Sequence, residues 1–325
     1  MLRGDTVSKA KREVNAPMDF GAGPGKDAQQ QMPPDTPNPV PDHARAIAPG
    51  LYLIATPIGA ARDITLRALD LLAGADILVA EDTRSLRHLM EIHGLALNGR
   101  RLLAYHDHNG AQMRPVIIAA LRAGKSVVYA SEAGTPLVAD PGFQLARAAI
   151  AEGLEVHAAP GPSAILAALT VAGLPSDRFC FLGFAPAQAG ARSRFLAEAA
   201  TIPATLIFYE SPRRINRFLK ELRDTLGADR KAALCRELTK KHEEVLRMSL
   251  DEMVDAVADR TLKGEIVVLV DRGEAPAADA DMLDRALTEA LARMRLKDAV
   301  AEVSTALNLP RRQVYQAALA KEQEE

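Results

Sequence analysis

Two turns built from small residues carry the strongest chemical signal in the sequence. Ser131, Glu132, Ala133, Gly134, Thr135 and Pro136 follow one short apolar run, at 127–130. Pro160, Gly161, Pro162, Ser163 and Ala164 follow another, at 156–159, with Ser163 placed to cap a helix. Small side chains there let a ligand approach the backbone and use its N–H and C=O groups. Other constellations point away from familiar chemistries. Gly124, Lys125 and Ser126 resemble the end of a phosphate loop, but Ala119 stands where that loop needs its first glycine. Ala55, Thr56, Pro57, Ile58 and Gly59 occupy the place of a dinucleotide-binding glycine triad. His106 and His108 are spaced to share one face of a strand, yet no further His or Cys cluster completes a metal shell. Nucleotide-triphosphate motors, ordinary NAD enzymes and zinc enzymes are disfavoured.

The elements that must hold these turns alternate regularly. Apolar runs at 51–55, 77–80, 102–105, 127–130 and 156–159 read as strands. Amphipathic stretches at 64–73, 85–93, 112–123, 143–152 and 163–172 read as helices, the first capped by Asp63. Gly74, Gly94, Gly124, Gly153 and Gly173 follow them and are expected as C-caps with positive φ. Such alternation implies a mostly parallel sheet covered on both faces, with both turns at the carboxyl ends of strands, where open α/β sheets bind ligands. Beyond Pro175 the alternation loosens. Strands at 179–182, 205–209, 232–236, 245–249 and 265–270 enclose helices near 192–200, 212–226 and 251–260, and two successive strands near 234 and 247 demand a hairpin and a mixed sheet. The fold class is therefore α/β, with α/β domains at 49–160 and 161–274. Residues 275–325 form a helical tail, with helices at 282–294, 297–307 and 311–321 and a helix-turn-helix-like break at 308–310.

Composition frames this reading. Eight of the 20 prolines fall in the first 49 residues, so 1–48 reads as a disordered extension without the continuous apolar core of a secretory signal. Two cysteines, Cys180 and Cys235, are too few for a disulfide framework, and no run of about 18 apolar residues exists. A cytoplasmic, non-membrane protein is expected. The net charge of -2 gives no global nucleic-acid signature, but 192–241 holds 12 Arg or Lys against six Asp or Glu. That local excess fits a phosphate backbone, with Arg213, Arg214, Lys240 and Lys241 as the expected contacts. Aromatic content of 4% without Trp argues for phosphate and ribose contacts over stacking.

Seven ordered motifs carry a resemblance: Leu53 to Gly59, Ala80 to Arg84, Tyr105 to Asn109, Ala133 to Gly142, Pro160 to Ala164, Phe208 to Pro212 and Arg236 to Lys240. Together they resemble the bacterial 16S ribosomal RNA cytidine 2′-O-methyltransferases of the tetrapyrrole-methylase superfamily, and the helical tail is similar to the helix-turn-helix segment many members carry. The resemblance implies two α/β domains with S-adenosylmethionine in the cleft between them, a homodimer, and 16S rRNA in the small ribosomal subunit as partner. It places the cofactor against Pro57, Gly59, Ser131, Glu132, Ala133, Gly134, Thr135, Pro136, Ser163, Ala164, Tyr209, Gly264, Glu265 and Ile266. Two departures stand out: Glu132 where members commonly have Asp, and Ala60, Ala61 and Arg62 in place of Asn-Leu-Gly.

Methyl transfer from a sulfonium is an in-line displacement that positioning accelerates, so no covalent nucleophile or metal is demanded. A ribose hydroxyl does profit from a base within hydrogen-bond reach. Asp82, His106 and Glu210, at strand ends on the cleft side, are the candidates, with Arg84 and Asn109 orienting the RNA. A tetrapyrrole carbon methyltransferase of the same fold and an inactive RNA-binding or ribosome-assembly protein are the alternatives.

Overall fold

The computed structural model describes residues 47–139, 141–272, 280–307 and 309–324. Up to residue 46, the extension read as disordered lies outside the described residues. Five strands, β1 (Gly50–Ile54), β2 (Ile77–Ala80), β3 (Arg101–Ala104), β4 (Ser126–Ala130) and β5 (Val156–Ala159), form an all-parallel sheet in the order β3-β2-β4-β1-β5. Helices α1 (Leu66–Gly74), α2 (Thr83–Ile92), α3 (Gly110–Arg122) and α4 (Phe143–Ala151) make the crossovers. Successive strand side chains go to opposite faces. Ile54, Leu78 and Val128 pack with α1 and α2, while Leu51, Val79, Val127 and Tyr129 pack with α3 and α4. Burial on both faces explains why these strands read as continuous apolar runs.

Three local expectations are corrected. Thr65, not Asp63, caps α1: its side chain accepts from Ala68 N, and Asp63 closes a 3-10 turn at Ala61–Asp63. Gly74 is the last helical residue, followed by an extended Ala75, whereas Gly94, Gly124, Gly153 and Gly173 do adopt positive φ. Helix α2 begins at Thr83, two residues earlier than its apolar pattern suggests, because the Asp82 carboxylate accepts from Arg84 N.

The second sheet contains β6 (Phe179–Phe184), β7 (Thr205–Glu210), β8 (Lys231–Arg236), β9 (Glu244–Ser249) and β10 (Ile266–Val270), in the order β6-β7-β10-β8-β9. It is mixed: β6 and β7 run parallel, the other neighbours antiparallel, with β8 and β9 as the expected hairpin. One face is covered by α6 (Ala189–Ala200), α7 (Ile215–Leu226) and α8 (Leu250–Val257), through Leu196, Phe218, Leu222 and Met253. The other carries α5 (Ala164–Ala172), and Ile58 from the loop after β1 joins that same apolar cluster. The two sheets thus share a core at the loops that matter. Cys180 and Cys235 are both free, the latter buried. Helices α9 (Ala280–Leu291), α10 (Leu296–Ala306) and α11 (Arg311–Glu324) pack around Leu287, Ala299, Val303 and Val314. Among the described residues no helix is long and apolar enough to cross a membrane.

Candidate functional site

Strand β1 sits between β4 and β5, so the chain leaves it in one direction along the sheet, returns through β4, and then crosses to its other side. The loops after β1 and β4 therefore meet at a topological switch point. An isolated bridge pins them together: Thr56 N donates to Gly134 O at 3.0 Å and Gly134 N to Thr56 O at 2.9 Å. Inside this clasp Thr56 Oγ1 donates to Ser131 O at 3.1 Å, and Ser131 Oγ donates to Gly134 O at 2.6 Å. Gly134 needs φ of +80° to make the turn, a conformation that excludes most side chains.

The residues that flank the clasp, Pro57 after Thr56 and Ala133 before Gly134, line a cavity of about 600 Å³. Of the residues expected to hold a cofactor, Pro57, Gly59, Glu132, Ala133, Ala164, Tyr209, Gly264, Glu265 and Ile266 line it. Gly134, Thr135 and Ser163 line a smaller void that shares Ala133, Ala164 and Tyr209. Ser131 and Pro136 are buried and line neither, and the Ser131 hydroxyl is spent on the turn itself. Sequence reasoning missed Ser85, Phe184 and Val267, among others. Phe184 is 57% exposed, with its ring 5.6 Å from that of Tyr209, so the cavity has an aromatic wall despite the low overall aromatic content. Its signal was the position of an aromatic at the end of β6.

Glycine leaves room for the turn after β8, at Gly59 across the two α/β halves and at Gly264 within the second. A Cβ on Gly59 would lie 2.5 Å from Thr239 Oγ1 and from Lys240 Cγ, and one on Gly264 would lie 2.3 Å from the Glu237 carboxylate. Ala60 N donates to Thr239 Oγ1 at 3.1 Å, so the turn after β8 rests directly on the loop after β1. Glu237 and Thr239 hold positive φ to reach this position.

The charged residues divide into committed and exposed groups. Glu210 is fully buried at the end of β7: Oε1 accepts from Ser211 N at 2.6 Å and Arg214 Nε at 2.7 Å, and Oε2 accepts from Arg214 Nη2 at 2.9 Å. Arg214 also donates to Ala185 O, so it is a structural partner rather than the free RNA contact expected. Asp82 binds Arg84 through Nε and Nη2, and the hydrogen bonds of that guanidinium and of Arg84 N hold its carboxyl down at about 2. Asn109 is likewise committed: Oδ1 accepts from His106 N and Nδ2 donates to Ala104 O, which shapes the turn after β3. Lys240 lines the cavity and bonds Glu237 at 3.0 Å and Glu265 at 2.9 Å. Arg213 and Lys241 are exposed, and the Arg84 side chain is 90% exposed despite its partner. His106 is half-buried, with a buried Nδ1 that has no hydrogen-bond partner among the described residues.

The chain belongs to the tetrapyrrole (corrin/porphyrin) methylases, whose family model matches residues 50–254. The model of the RsmI C-terminal HTH domain matches residues 276–322. Within the family it groups with proteins named Ribosomal RNA small subunit methyltransferase I. The one from Mesorhizobium japonicum is 50% identical over 263 residues, covering 80% of this chain and 88% of that one. That from Mycobacterium tuberculosis is 42% identical over 276 residues, covering 84% and 96%. Among solved structures, diphthine synthase aligns with a TM-score of 0.54 at 16% identity, over 68% of this chain and 89% of its own. A cobalt precorrin-4 methyltransferase aligns at 0.53 and 19%, over 68% and 94%. These likenesses show the fold.

Proposed function

We propose that the protein transfers a methyl group from S-adenosylmethionine to small-subunit ribosomal RNA, at the 2′-oxygen of a cytidine in the decoding region of 16S rRNA. The observation that carries the first part is the cavity at the switch point, which suits this cofactor. It is within the size range of small-molecule sites. Gly59 and Gly264 expose backbone, Ile58, Ala133, Phe184 and Tyr209 supply apolar and aromatic surface, and Glu132 supplies negative charge for a cationic sulfonium. The bound cofactor would supply an electrophilic methyl. The chain's own part is to orient it: the Thr56–Gly134 clasp fixes one wall, and the Glu237–Lys240 turn fixes the opposite one.

The RNA substrate is supported by the names of the relatives, by exposed cations on the α/β part and by a basic groove in the tail. Arg84, Arg213 and Lys241 are exposed on the α/β part. In the tail, a groove of about 470 Å³ between α10 and α11 is lined by Arg295, Lys297, Arg311 and the exposed Tyr315, with no carboxylate among the described residues of its lining. Phosphate contacts position an RNA without reading its sequence, which suits such a surface. The test is transfer of labelled methyl groups to small subunits isolated from cells lacking the activity, with mapping of the modified nucleotide. Label on a base carbon or nitrogen, or on no RNA at all, would overturn the ribose reading.

A further inference from the structure

Deprotonation of the ribose hydroxyl needs an acceptor, and the carboxylates around the cleft are not equivalent. Glu210 has both oxygens held by Arg214 and Ser211 with no exposed surface. Asp82 has both oxygens on Arg84. Glu237 and Glu265 hold Lys240. Glu132 lines the cavity but is exposed to water. Glu81 differs from all of these: half-buried, it accepts no hydrogen bond from any described residue, and its Oε2 is buried without a partner.

Its position follows from the sheet. Ala80, the residue before it, ends β2 and pairs with Ala130 at the end of β4, so Glu81 leaves the sheet beside the Ser131–Glu132 turn that walls the cavity. On its other side Tyr105 N donates to Ala80 O, which brings the His106–Asn109 turn alongside. Ser85, one helical turn onward, lines the cavity. The groups that act on Glu81 are Glu132 from the turn after β4, His106 and Asp107 from the turn after β3, and Asp82 on its own turn. We propose that Glu81 is the proton acceptor of the reaction, with His106, whose Nδ1 is unpartnered, beside it. The inference rests on the ribose-methylation reading above. In the step, the 2′-O–H bond breaks and its proton passes to the Glu81 carboxylate. The oxygen's electron pair forms the new O–C bond to the methyl group, the methyl–sulfur bonding pair stays on sulfur, and Glu81 later loses the proton to water.

Burial, then the neighbouring carboxylates of Glu132 and Asp107, push the Glu81 carboxyl up, with His106 opposing and Asp82 adding. A raised carboxyl costs stability when it ionises: the cost is absent below the unfolded-state pKa and complete above the folded one. A base kept in this way has two signatures that a structural carboxylate lacks. Glu81→Gln should lose about a hundred- to ten-thousand-fold in single-turnover methyl transfer to small subunits at saturating S-adenosylmethionine. The same variant should raise the melting temperature at pH 8, and that gain should vanish below about pH 4. Glu81→Asp should recover part of the rate and keep an acid limb in the pH–rate profile, and Glu132→Gln should move that limb to lower pH. Near-normal transfer by Glu81→Gln, or a lower melting temperature at pH 8 with no partial recovery by Glu81→Asp, would overturn the proposal. If the wild-type protein transfers no methyl to RNA, the functional reading fails before this one is reached.

Discussion

Arg214 shows how a residue's chemical type and its task can separate. As one of 12 cations within 192–241 it looks like part of a phosphate-binding surface, yet its guanidinium is spent on the buried Glu210. Arg192, Arg223, Arg236 and Lys240 are also in ion pairs. Removing one member of a buried pair leaves an uncompensated charge, so Arg214→Ala should destabilise the protein by about 3–5 kcal/mol in urea unfolding. Arg213→Ala, one position away and exposed, should change stability by no more than about 0.5 kcal/mol. A sequence shows how many cations a segment holds but not which are neutralised, because partners such as Arg236 and Glu244 meet only after strands pair. The same limit hid the freedom of Glu81: it stands next to Asp82 in the chain, and only the fold shows that Arg84 occupies one and leaves the other.

At the scale of elements, the alternation of strands and helices was legible because its signals are local: apolar period, cap type and a glycine beyond the last turn; the order of strands in the sheet was not, because it is set by contacts between distant segments. The misplacement of the α1 cap has a simple cause, since Asp63 and Thr65 are both good capping types and only the 3-10 turn decides between them. The contact between the two halves was not legible, because Ala60 and Thr239 are far apart in sequence and the signal is the absence of a side chain at Gly59; Gly264 gives the same kind of room to Glu237 within the second half. These glycines give an element-scale prediction. Gly59→Ala and Gly264→Ala should each push the Glu237–Lys240 turn away from the cavity and weaken S-adenosylmethionine binding by about tenfold or more in calorimetry, by displacing the wall of the site by about 1 Å. Gly190→Ala, inside α6 where an added Cβ meets only the tip of Arg194 at 3.9 Å, should leave that affinity unchanged and stabilise by about 0.5–1 kcal/mol.

For the whole molecule, a net charge of -2 conceals a basic groove in the tail. Lys297→Glu combined with Arg311→Glu should weaken binding to small subunits and flatten its salt dependence, since fewer counterions are released on association. Cofactor affinity should not change. Equal RNA affinity at every salt concentration would remove the tail from the substrate-binding surface. The order β3-β2-β4-β1-β5 also sets a schedule for synthesis. Strand β1, the first to leave the ribosome, has no neighbour until β4 and β5 emerge, about 75 to 105 residues later. At ordinary elongation rates that is a wait of roughly 5–20 s. For that interval the apolar run around Leu51 and Ile54 has both edges open, and the Thr56–Gly134 clasp cannot close. The newborn chain should therefore be a client for chaperones in those seconds, and acquire its catalytic pocket only near the end of translation.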